Sequence, residues 1–251
     1  MKIQKKDGFE REFTYQWNAK WKEDDISKPI LKLTKSSLGS YDWCPKKYQF
    51  NYMEGKPQDT SEAMHNGTLV HNALEEFYNV FDIKKAETMD VAEVTEYCFS
   101  LFPIDNMSEM YETLSINEAQ RFMVAKEDKT LEMFLPVINE VCLNAQIVIN
   151  RADFPKFPLK RDYTVHLQGI IDRMFVDKTG YIPMELKTGA WKEYKKTSMR
   201  KEMAYYKLLF DNCPIEQLEA IGINRDLTIT HWGWRYPASN HIYVEEQKKS
   251  S

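Results

Sequence analysis

The 251-residue sequence contains few of the residues that mark specialised scaffolds: 4 Cys, 9 Gly and 10 Pro. The cysteines lie singly and form no C-x-x-C pair, which argues against a disulfide framework and for reduced thiols in the cytoplasm. Glycine and proline are too scarce for a collagen-like chain, and no repeat or low-complexity tract is present. The length is sufficient for a sizeable core in one large domain.

Long apolar runs are also missing. The longest, at residues 133–149, is interrupted by Pro136, Glu140 and Asn144, so it is too short and too polar to cross a bilayer. The first residues mix both charges and lack the apolar stretch of a signal peptide. We therefore expect a soluble, cytoplasmic protein with no membrane partner.

Positive charge is not in excess, since 34 Lys and Arg face 38 Asp and Glu. Any nucleic-acid site must then be a local basic patch. Residues 86–120 hold eight acidic side chains and no Lys or Arg, whereas residues 186–207 hold seven basic and two acidic ones. Residues 28–47 hold five Lys against one Asp. This uneven distribution of charge is compatible with nucleic-acid binding. An ordinary solvated, lysine-rich helix face is an alternative explanation that is about equally common.

The apolar spacing predicts helices at residues 62–81 and 198–210, and a longer one at residues 117–149, bent at Pro136. Strands are predicted around the Lys-Thr-Gly turn at residues 178–180, and near the C-terminus. This order of elements predicts an α+β fold, with a mixed central sheet flanked by helices and a helical insertion. We expect a single domain over residues 1–251, with an N-terminal arm (1–33), a helical insertion (82–150), a catalytic core (160–210) and a C-terminal hairpin (227–246).

Acidic and basic residues meet at one predicted hairpin. G-I-I-D at residues 169–172 is followed, after the turn, by E-L-K-T-G at residues 185–189. Because side chains alternate along a strand, Glu185 and Lys187 project to one side, and an antiparallel partner strand brings Asp172 beside Glu185. Neighbouring carboxylates repel unless a cation lies between them, and hard oxygen ligands favour Mg²⁺ or Mn²⁺. Glu-x-Lys alone is common on ordinary strands, so the prediction depends on the wider arrangement.

This stretch resembles the core of the PD-(D/E)XK nucleases, specifically their RecB-like exonuclease branch. Three more segments are similar to motifs of that branch and occur in the same order: S-L-G-S-Y-D-W-C-P-K-K-Y at residues 37–48, G-T-L-V-H-N-A-L-E at residues 67–75 and E-M-A-Y-Y at residues 202–206. The ordered combination is more specific than any one motif. It implies a restriction-endonuclease-like core and a metal-dependent DNA nuclease similar to the CRISPR-associated RecB-like exonucleases.

The resemblance also implies roles for individual residues. Asp172, Glu185 and Lys187 would be catalytic, and His71 would join Asp172 and Glu185 as a ligand of Mg²⁺ or Mn²⁺. Considered alone, a single His on an amphipathic helix is more often a packing or surface residue. The candidate DNA contacts, which would supply affinity without sequence information, are Tyr206, Lys46, Lys47, Lys192, Lys195, Lys196 and Arg200. The candidate supporting residues are Glu75, for which an exposed position is the simpler expectation, and Glu202, which stands where the branch has Gln.

Members of the branch often hold an iron–sulfur cluster through one Cys of the C-P motif and three near the C-terminus. Cys44 matches the first, but Cys213 is the only cysteine beyond the core. The sequence therefore argues against a cluster. A zinc site made of His71 and the cysteines has little support from their spacing.

These features predict a Mg²⁺- or Mn²⁺-dependent deoxyribonuclease that hydrolyses phosphodiester bonds. On the resemblance alone, an exonuclease acting on single-stranded DNA or DNA ends is favoured, with a role in DNA repair, recombination or CRISPR-type processing. Two rivals remain open, a non-catalytic DNA-binding protein and a partner-dependent subunit of a larger nuclease, helicase or integrase complex.

Overall fold

The computed structural model describes residues 4–5, 30–56, 61–156, 162–224 and 226–247, in which the chain forms seven strands and eight α-helices. The strands are β1 (Gln4–Lys5), β2 (Ile30–Thr34), β3 (Ile138–Ile149), β4 (Tyr163–Val176), β5 (Tyr181–Leu186), β6 (His231–Tyr236) and β7 (His241–Glu246). The helices are α1 (Lys35–Trp43), α2 (Pro45–Tyr48), α3 (Glu62–Val80), α4 (Ile83–Ala86), α5 (Val91–Ser100), α6 (Ser108–Glu127), α7 (Lys196–Asn212) and α8 (Ile215–Glu219). None of these described helices is long and apolar enough to cross a membrane.

The strands form one mixed sheet in the order β1-β3-β4-β5-β6-β7, with β2 also paired to β4. The β2–β4 and β5–β6 pairs are parallel, whereas β1–β3, β4–β5 and β6–β7 are antiparallel. A mixed sheet accompanied by eight described helices confirms the α+β prediction.

The chain separates into two compact units. The first comprises residues 1–59, 141–170 and 197–223, and the second comprises residues 60–140, 171–196 and 224–251. Strands β3 and β4 contribute residues to both units. The single-domain organisation remains a prediction from the sequence.

In the first unit, sequence signals at two positions explain the local structure. Thr34 caps helix α1, because its hydroxyl accepts a hydrogen bond from the backbone N–H of Ser37 while the Ser37 hydroxyl accepts one from the Thr34 N–H. In β4, the glycine of G-I-I-D permits close packing of helix α7, since a Cβ on Gly169 would lie 3.0 Å from a methyl group of Leu209.

The core of the second unit forms around helix α3. Ser61 caps this helix through a hydrogen bond from the Met64 N–H, and the helix ends at Val80, close to the predicted boundary. Its apolar face packs with rings from α5, α6 and the segment after α6, and with Phe175 of β4 and Leu186 of β5. The described rings in this core are Phe77, Tyr78, Phe81, Tyr97, Phe102, Tyr111, Phe122, Phe134 and Phe175. This packing fixes α3 against the strands that carry the G-I-I-D and E-L-K residues.

The long helix predicted at residues 117–149 is wrong. Helix α6 ends at Glu127, and after Pro136 the chain continues as strand β3 (Ile138–Ile149). Pro136 ends the helical segment instead of bending it, and the β-branched residues that follow favour a strand. Of the predicted N-terminal arm, only residues 4–5 and 30–33 are described, all of them in strands, and the rest lies outside the described residues.

Candidate metal centre

Four elements of the second unit bring together the chemically important side chains. Helix α3 carries His71, the start of β3 carries Glu140, β4 carries Asp172, and β5 carries Glu185 with Lys187 directly after the strand. Three of these side chains are buried carboxylates, with exposed fractions of 3% for Glu140, 7% for Asp172 and 3% for Glu185. Such burial of like charges requires compensating positive charge.

The β4–β5 hairpin aligns the residues predicted from the sequence. Its antiparallel register pairs Arg173 with Met184, which brings Asp172 alongside Glu185 and confirms the predicted hairpin. The backbone N–H of Leu186 donates to Asp172 Oδ2 at 2.9 Å and fixes that carboxylate. Lys187 Nζ donates to Glu185 Oε1, also at 2.9 Å. The hairpin thus fixes the positions of Asp172, Glu185 and Lys187 relative to one another.

One imidazole nitrogen faces two of the carboxylates. His71 Nδ1 lies 3.0 Å from Glu140 Oε1 and 3.6 Å from Asp172 Oδ2. Ligand atoms of these three residues all lie within 4.8 Å of one another. The other ring nitrogen, Nε2, donates to the carbonyl oxygen of Leu186 at 3.2 Å. That hydrogen bond orients the ring so that Nδ1 faces the carboxylates, as in many metal-binding histidines.

The donor set matches a divalent cation. One imidazole nitrogen and two carboxylates supply mixed nitrogen and oxygen ligands, and most of their donor atoms are hard oxygens. Mg²⁺ and Mn²⁺ bind such sites through a few protein ligands and leave other positions for water and phosphate. The residues present therefore fit the metal that the sequence motif implies.

Glu140 is the functional candidate that the sequence analysis missed. It lies in a stretch predicted to be helical, and only its place at the start of β3 directs its carboxylate toward His71. Its backbone adopts a left-handed conformation with φ of 52°, which is uncommon for a residue other than glycine. The signal in the sequence was the β-branched run after Pro136, which favours a strand.

Arg173 supplies positive charge within the same group. Its side chain is 1% exposed, and its Nη2 donates to the carbonyl oxygen of His71 at 3.1 Å. The same nitrogen lies 3.5 Å from Glu140 Oε1. Arg173 therefore connects α3, β3 and β4, and partly offsets the carboxylates around His71.

The protonation of His71 follows from its neighbours. Burial lowers the pKa of His71, but the charges of Asp172 and Glu140 and the hydrogen bond to Glu140 outweigh burial, so that the pKa lies above its ordinary value. A protonated ring adds positive charge beside the carboxylates. A metal ion needs the neutral ring, so metal binding would release a proton from the protonated form.

Three predicted DNA contacts lie in the second unit, just after the E-L-K-T-G motif. Lys192 is exposed. Lys195 Nζ donates to the carbonyl oxygen of Ala190 at 2.7 Å, and Lys196 Nζ pairs with Glu193 at 2.5 Å. These three lysines are the basic residues of the segment 189–196, which begins at the last glycine of the E-L-K-T-G motif.

The other predicted contacts belong to the first unit. Lys46, Lys47 and Arg200 are exposed. Tyr206 is 1% exposed, and its hydroxyl accepts from Lys35 Nζ at 2.6 Å and donates to the carbonyl oxygen of Ile170 at 3.0 Å. The Tyr206 hydroxyl therefore stabilises the first unit, and contact with substrate remains a prediction.

The predicted supporting residues have different environments. Glu75 is 9% exposed, so the simple expectation of an exposed side chain is wrong, and its backbone carbonyl accepts from Asn139 of β3. Glu202 pairs with Lys35 at 3.8 Å in the first unit. In the described part of the chain, the possible ligand group that contains His71 is completed by Glu140 and Asp172.

Comparison with known families agrees with this geometry. A family model described as the PD-(D/E)XK nuclease superfamily matches residues 32–220, which is most of the chain. No match was found among curated proteins. The chain belongs to the PD-(D/E)XK nuclease superfamily, whose members are nucleases that use divalent metals and act on DNA.

Proposed function

We propose that this member of the PD-(D/E)XK nuclease superfamily hydrolyses DNA phosphodiester bonds with Mg²⁺ or Mn²⁺. The observation that carries the proposal is the convergence of ligand atoms of His71, Glu140 and Asp172 within 4.8 Å. Strand β4, which carries Asp172, is paired with β5, which carries Glu185 and ends just before Lys187. A structural role alone gives no reason to bury two carboxylates against one imidazole, since burying like charges is unfavourable.

The proposed metal ligands are His71, Asp172 and Glu185, with Glu140 added by the geometry. A bound divalent cation would lower the pKa of a coordinated water and offset negative charge on the phosphate. The Leu186 N–H holds the Asp172 carboxylate, and the Leu186 carbonyl holds the His71 ring. Backbone groups of one residue therefore preorganise two of the proposed ligands.

Lys187 is proposed to act on the attacking water. Its ammonium group donates to Glu185 at 2.9 Å and is 30% exposed, so it reaches both the carboxylates and the solvent. From this position it would orient the water for in-line attack and stabilise the negative charge that develops on the phosphate oxygens. The backbone N–H of Lys187 donates to the Arg235 carbonyl oxygen at 2.8 Å, which fixes the strand end that presents the side chain.

The proposed substrate is single-stranded DNA or a DNA end, cut by an exonuclease of the RecB-like branch. This finer assignment rests on the order of the four sequence motifs and on their similarity to those of the CRISPR-associated members. Repair, recombination and CRISPR-type processing are the roles that such an activity would serve. The exposed lysines of both units, among them Lys46, Lys47 and Lys192, are proposed phosphate contacts.

A cleavage assay tests the proposal. End-labelled single-stranded, blunt duplex and circular DNA would be incubated with the protein in Mg²⁺, Mn²⁺ or EDTA. We expect metal-dependent degradation that falls about 10²- to 10⁴-fold in Lys187→Ala, because a group acting on the reacting water typically contributes that much. Lys178→Ala, in the β4–β5 turn, is a matched control that we expect to leave cleavage unchanged.

The outcomes separate the possible roles. Degradation of linear but not circular DNA would support an exonuclease, and the position of the label would report its polarity. Absence of cleavage with every metal, together with a DNA complex on a native gel, would contradict the enzyme and favour the partner-dependent binding subunit.

A further inference from the structure

The segment after the catalytic motif combines basic and aromatic side chains. Residues 189–196 hold Lys192, Lys195 and Lys196 against Glu193 alone, together with two aromatic residues, Trp191 and Tyr194. All of them belong to the second unit, as do the proposed metal ligands. A positively charged segment that also presents aromatic rings is typical of proteins that bind single-stranded nucleic acid.

Trp191 anchors this segment to the sheet. Its ring stacks on His241 with a centroid distance of 4.4 Å and meets the Tyr236 ring edge-on at 5.1 Å. Its backbone N–H donates to the Ser239 hydroxyl at 3.0 Å. The segment thus has a defined position against β6, β7 and their connection. The Trp191 ring packs there and holds the segment in place.

Tyr194 differs from Trp191 because its ring points into solvent. It is 75% exposed, which makes it the most exposed aromatic side chain among the described residues of the second unit. It lies in the short 3₁₀ helix Glu193–Lys195, so the backbone that presents it is ordered. Exposure of a whole ring has no benefit for folding, whereas a flat apolar face is what a nucleobase stacks on.

The segment stays near the catalytic motif. Lys195 Nζ donates a hydrogen bond to the Ala190 carbonyl oxygen at 2.7 Å, and Ala190 lies three residues after Lys187. Three residues span at most about 11 Å. Tyr194 is therefore presented within a few nucleotides of a phosphate bound beside Lys187.

We propose that Tyr194 stacks on a nucleobase of the DNA strand held at the metal centre and thereby selects unpaired DNA. This inference rests on the proposed nuclease function and adds to it the residue that distinguishes single strands. A base within a duplex is already stacked on its neighbours, so only an unpaired base can offer a free face to Tyr194. Lys192, two residues earlier, is exposed and placed to contact the adjoining phosphates.

The test compares strands with and without bases. Fluorescence anisotropy in EDTA, which prevents cleavage, would measure binding of labelled oligothymidylate and of an abasic strand of equal length. We expect Tyr194→Ala to bind oligothymidylate about fivefold or more weakly than the wild type, and the abasic strand equally well. Tyr194→Phe should retain wild-type binding because it keeps the ring. Phe99→Ala, which removes a 44% exposed ring from α5, serves as the control.

Three results would overturn the inference. The first is unchanged binding of oligothymidylate by Tyr194→Ala, and the second is an equal loss of affinity for both strands. The third is weak binding by Tyr194→Phe. Each result would show that a contact between the ring and a base does not cause the difference in affinity. Wild-type cleavage of the same oligothymidylate in Mn²⁺ is measured in parallel. If Tyr194→Ala shows no base-dependent loss of affinity while the wild type cleaves, only the stacking role is contradicted. If the wild type does not cleave, the proposed nuclease function itself is contradicted.

Discussion

Two groups of buried charges in the second unit show why burial of charge alone does not identify a catalytic site. The carboxylate cluster consists of His71, Glu140, Asp172 and Glu185, and the guanidinium cluster consists of Tyr78, Glu118, Arg121 and Arg235. Both lie inside the same unit, and each joins helices to the sheet. They differ in the sign of the charge that is in excess.

In the guanidinium cluster, the carboxylate is fully matched. Glu118 is 0% exposed, and it accepts from Arg121 at 2.8 Å and from Arg235, which also donates to the Tyr78 hydroxyl. Although burial alone raises the pKa of Glu118, the two guanidinium groups outweigh it and lower the pKa to about 2. The Arg121 guanidinium also packs over the Phe134 ring at 4.1 Å. This cluster is complete and serves the fold.

The carboxylate cluster contains three acidic side chains, of which Glu140 pairs with Arg173 and Glu185 with Lys187. Protonation of His71 can add positive charge beside them, and so can a bound cation. We infer that buried carboxylates facing an imidazole form a group able to take a metal ion, whereas a carboxylate matched by guanidinium groups serves the fold.

Asp172→Asn should separate activity from stability. We expect cleavage to fall by about 10³-fold or more, because the loss of a metal ligand removes several kcal/mol of transition-state stabilisation. The free energy of unfolding without metal should be unchanged or higher, since the repulsion is relieved and the Asn oxygen can still accept from Leu186 N–H. A cleavage assay and urea unfolding measure the two quantities. A large loss of stability would mean that Asp172 is primarily structural.

Glu118→Gln should give the opposite pattern. It leaves the buried guanidinium group of Arg235 and the partly exposed one of Arg121 without their carboxylate, and we expect the free energy of unfolding to fall by about 3–5 kcal/mol. Cleavage per folded molecule should persist. Glu112→Gln, an exposed change on the same helix, is the matched control and should alter stability very little. Equal stability of the two variants in urea would show that the guanidinium cluster does not stabilise the fold.

Low pH should reduce the stability that the Glu118 carboxylate contributes. The pKa of Glu118 is depressed in the folded state, so its stabilising contribution is present above the ordinary carboxyl pKa of about 4.5 and is lost as the pH falls toward about 2. The difference in unfolding free energy between wild type and Glu118→Gln should therefore shrink across this window. Unfolding curves at several pH values measure it, and a difference independent of pH would contradict the proposed pairing.

Tyr78→Phe should have the smallest effect. It removes the hydrogen bond from Arg235 to the Tyr78 hydroxyl and the one from this hydroxyl to Glu118, and we expect a loss of about 1–2 kcal/mol in unfolding free energy. The aromatic packing of the ring in the core is kept. A loss as large as that of Glu118→Gln would show that the hydroxyl, and not the carboxylate, holds the guanidinium cluster together.

Local patterns predicted most of the architecture around the site. The helical spacing at residues 62–81 corresponds to α3 (Glu62–Val80), and the turn at Lys178-Thr179-Gly180 corresponds to the β4–β5 hairpin. The capping of α1 by Thr34 likewise depends on residues only three positions apart. Each of these signals lies within one element or one turn.

Glu140 and Arg173 could not be predicted in the same way. Glu140 lies 69 residues from His71 along the chain, and it reaches His71 only through the tertiary position of β3. The apolar run at residues 133–149 fits a helix or a buried strand by composition, and a short buried strand has no distinctive period. Arg173 directly follows the G-I-I-D motif, but its hydrogen bond to the His71 carbonyl oxygen depends on how α3 packs on the sheet.

The most direct test of the central claim is a calorimetric titration with Mn²⁺ of the wild type, Asp172→Asn and Glu118→Gln. The account predicts one site in the wild type and in Glu118→Gln, with proton release that grows as the pH falls toward the raised pKa of His71, and little or no binding in Asp172→Asn. Undiminished Mn²⁺ binding in Asp172→Asn would contradict the claim that the carboxylate cluster is the metal centre.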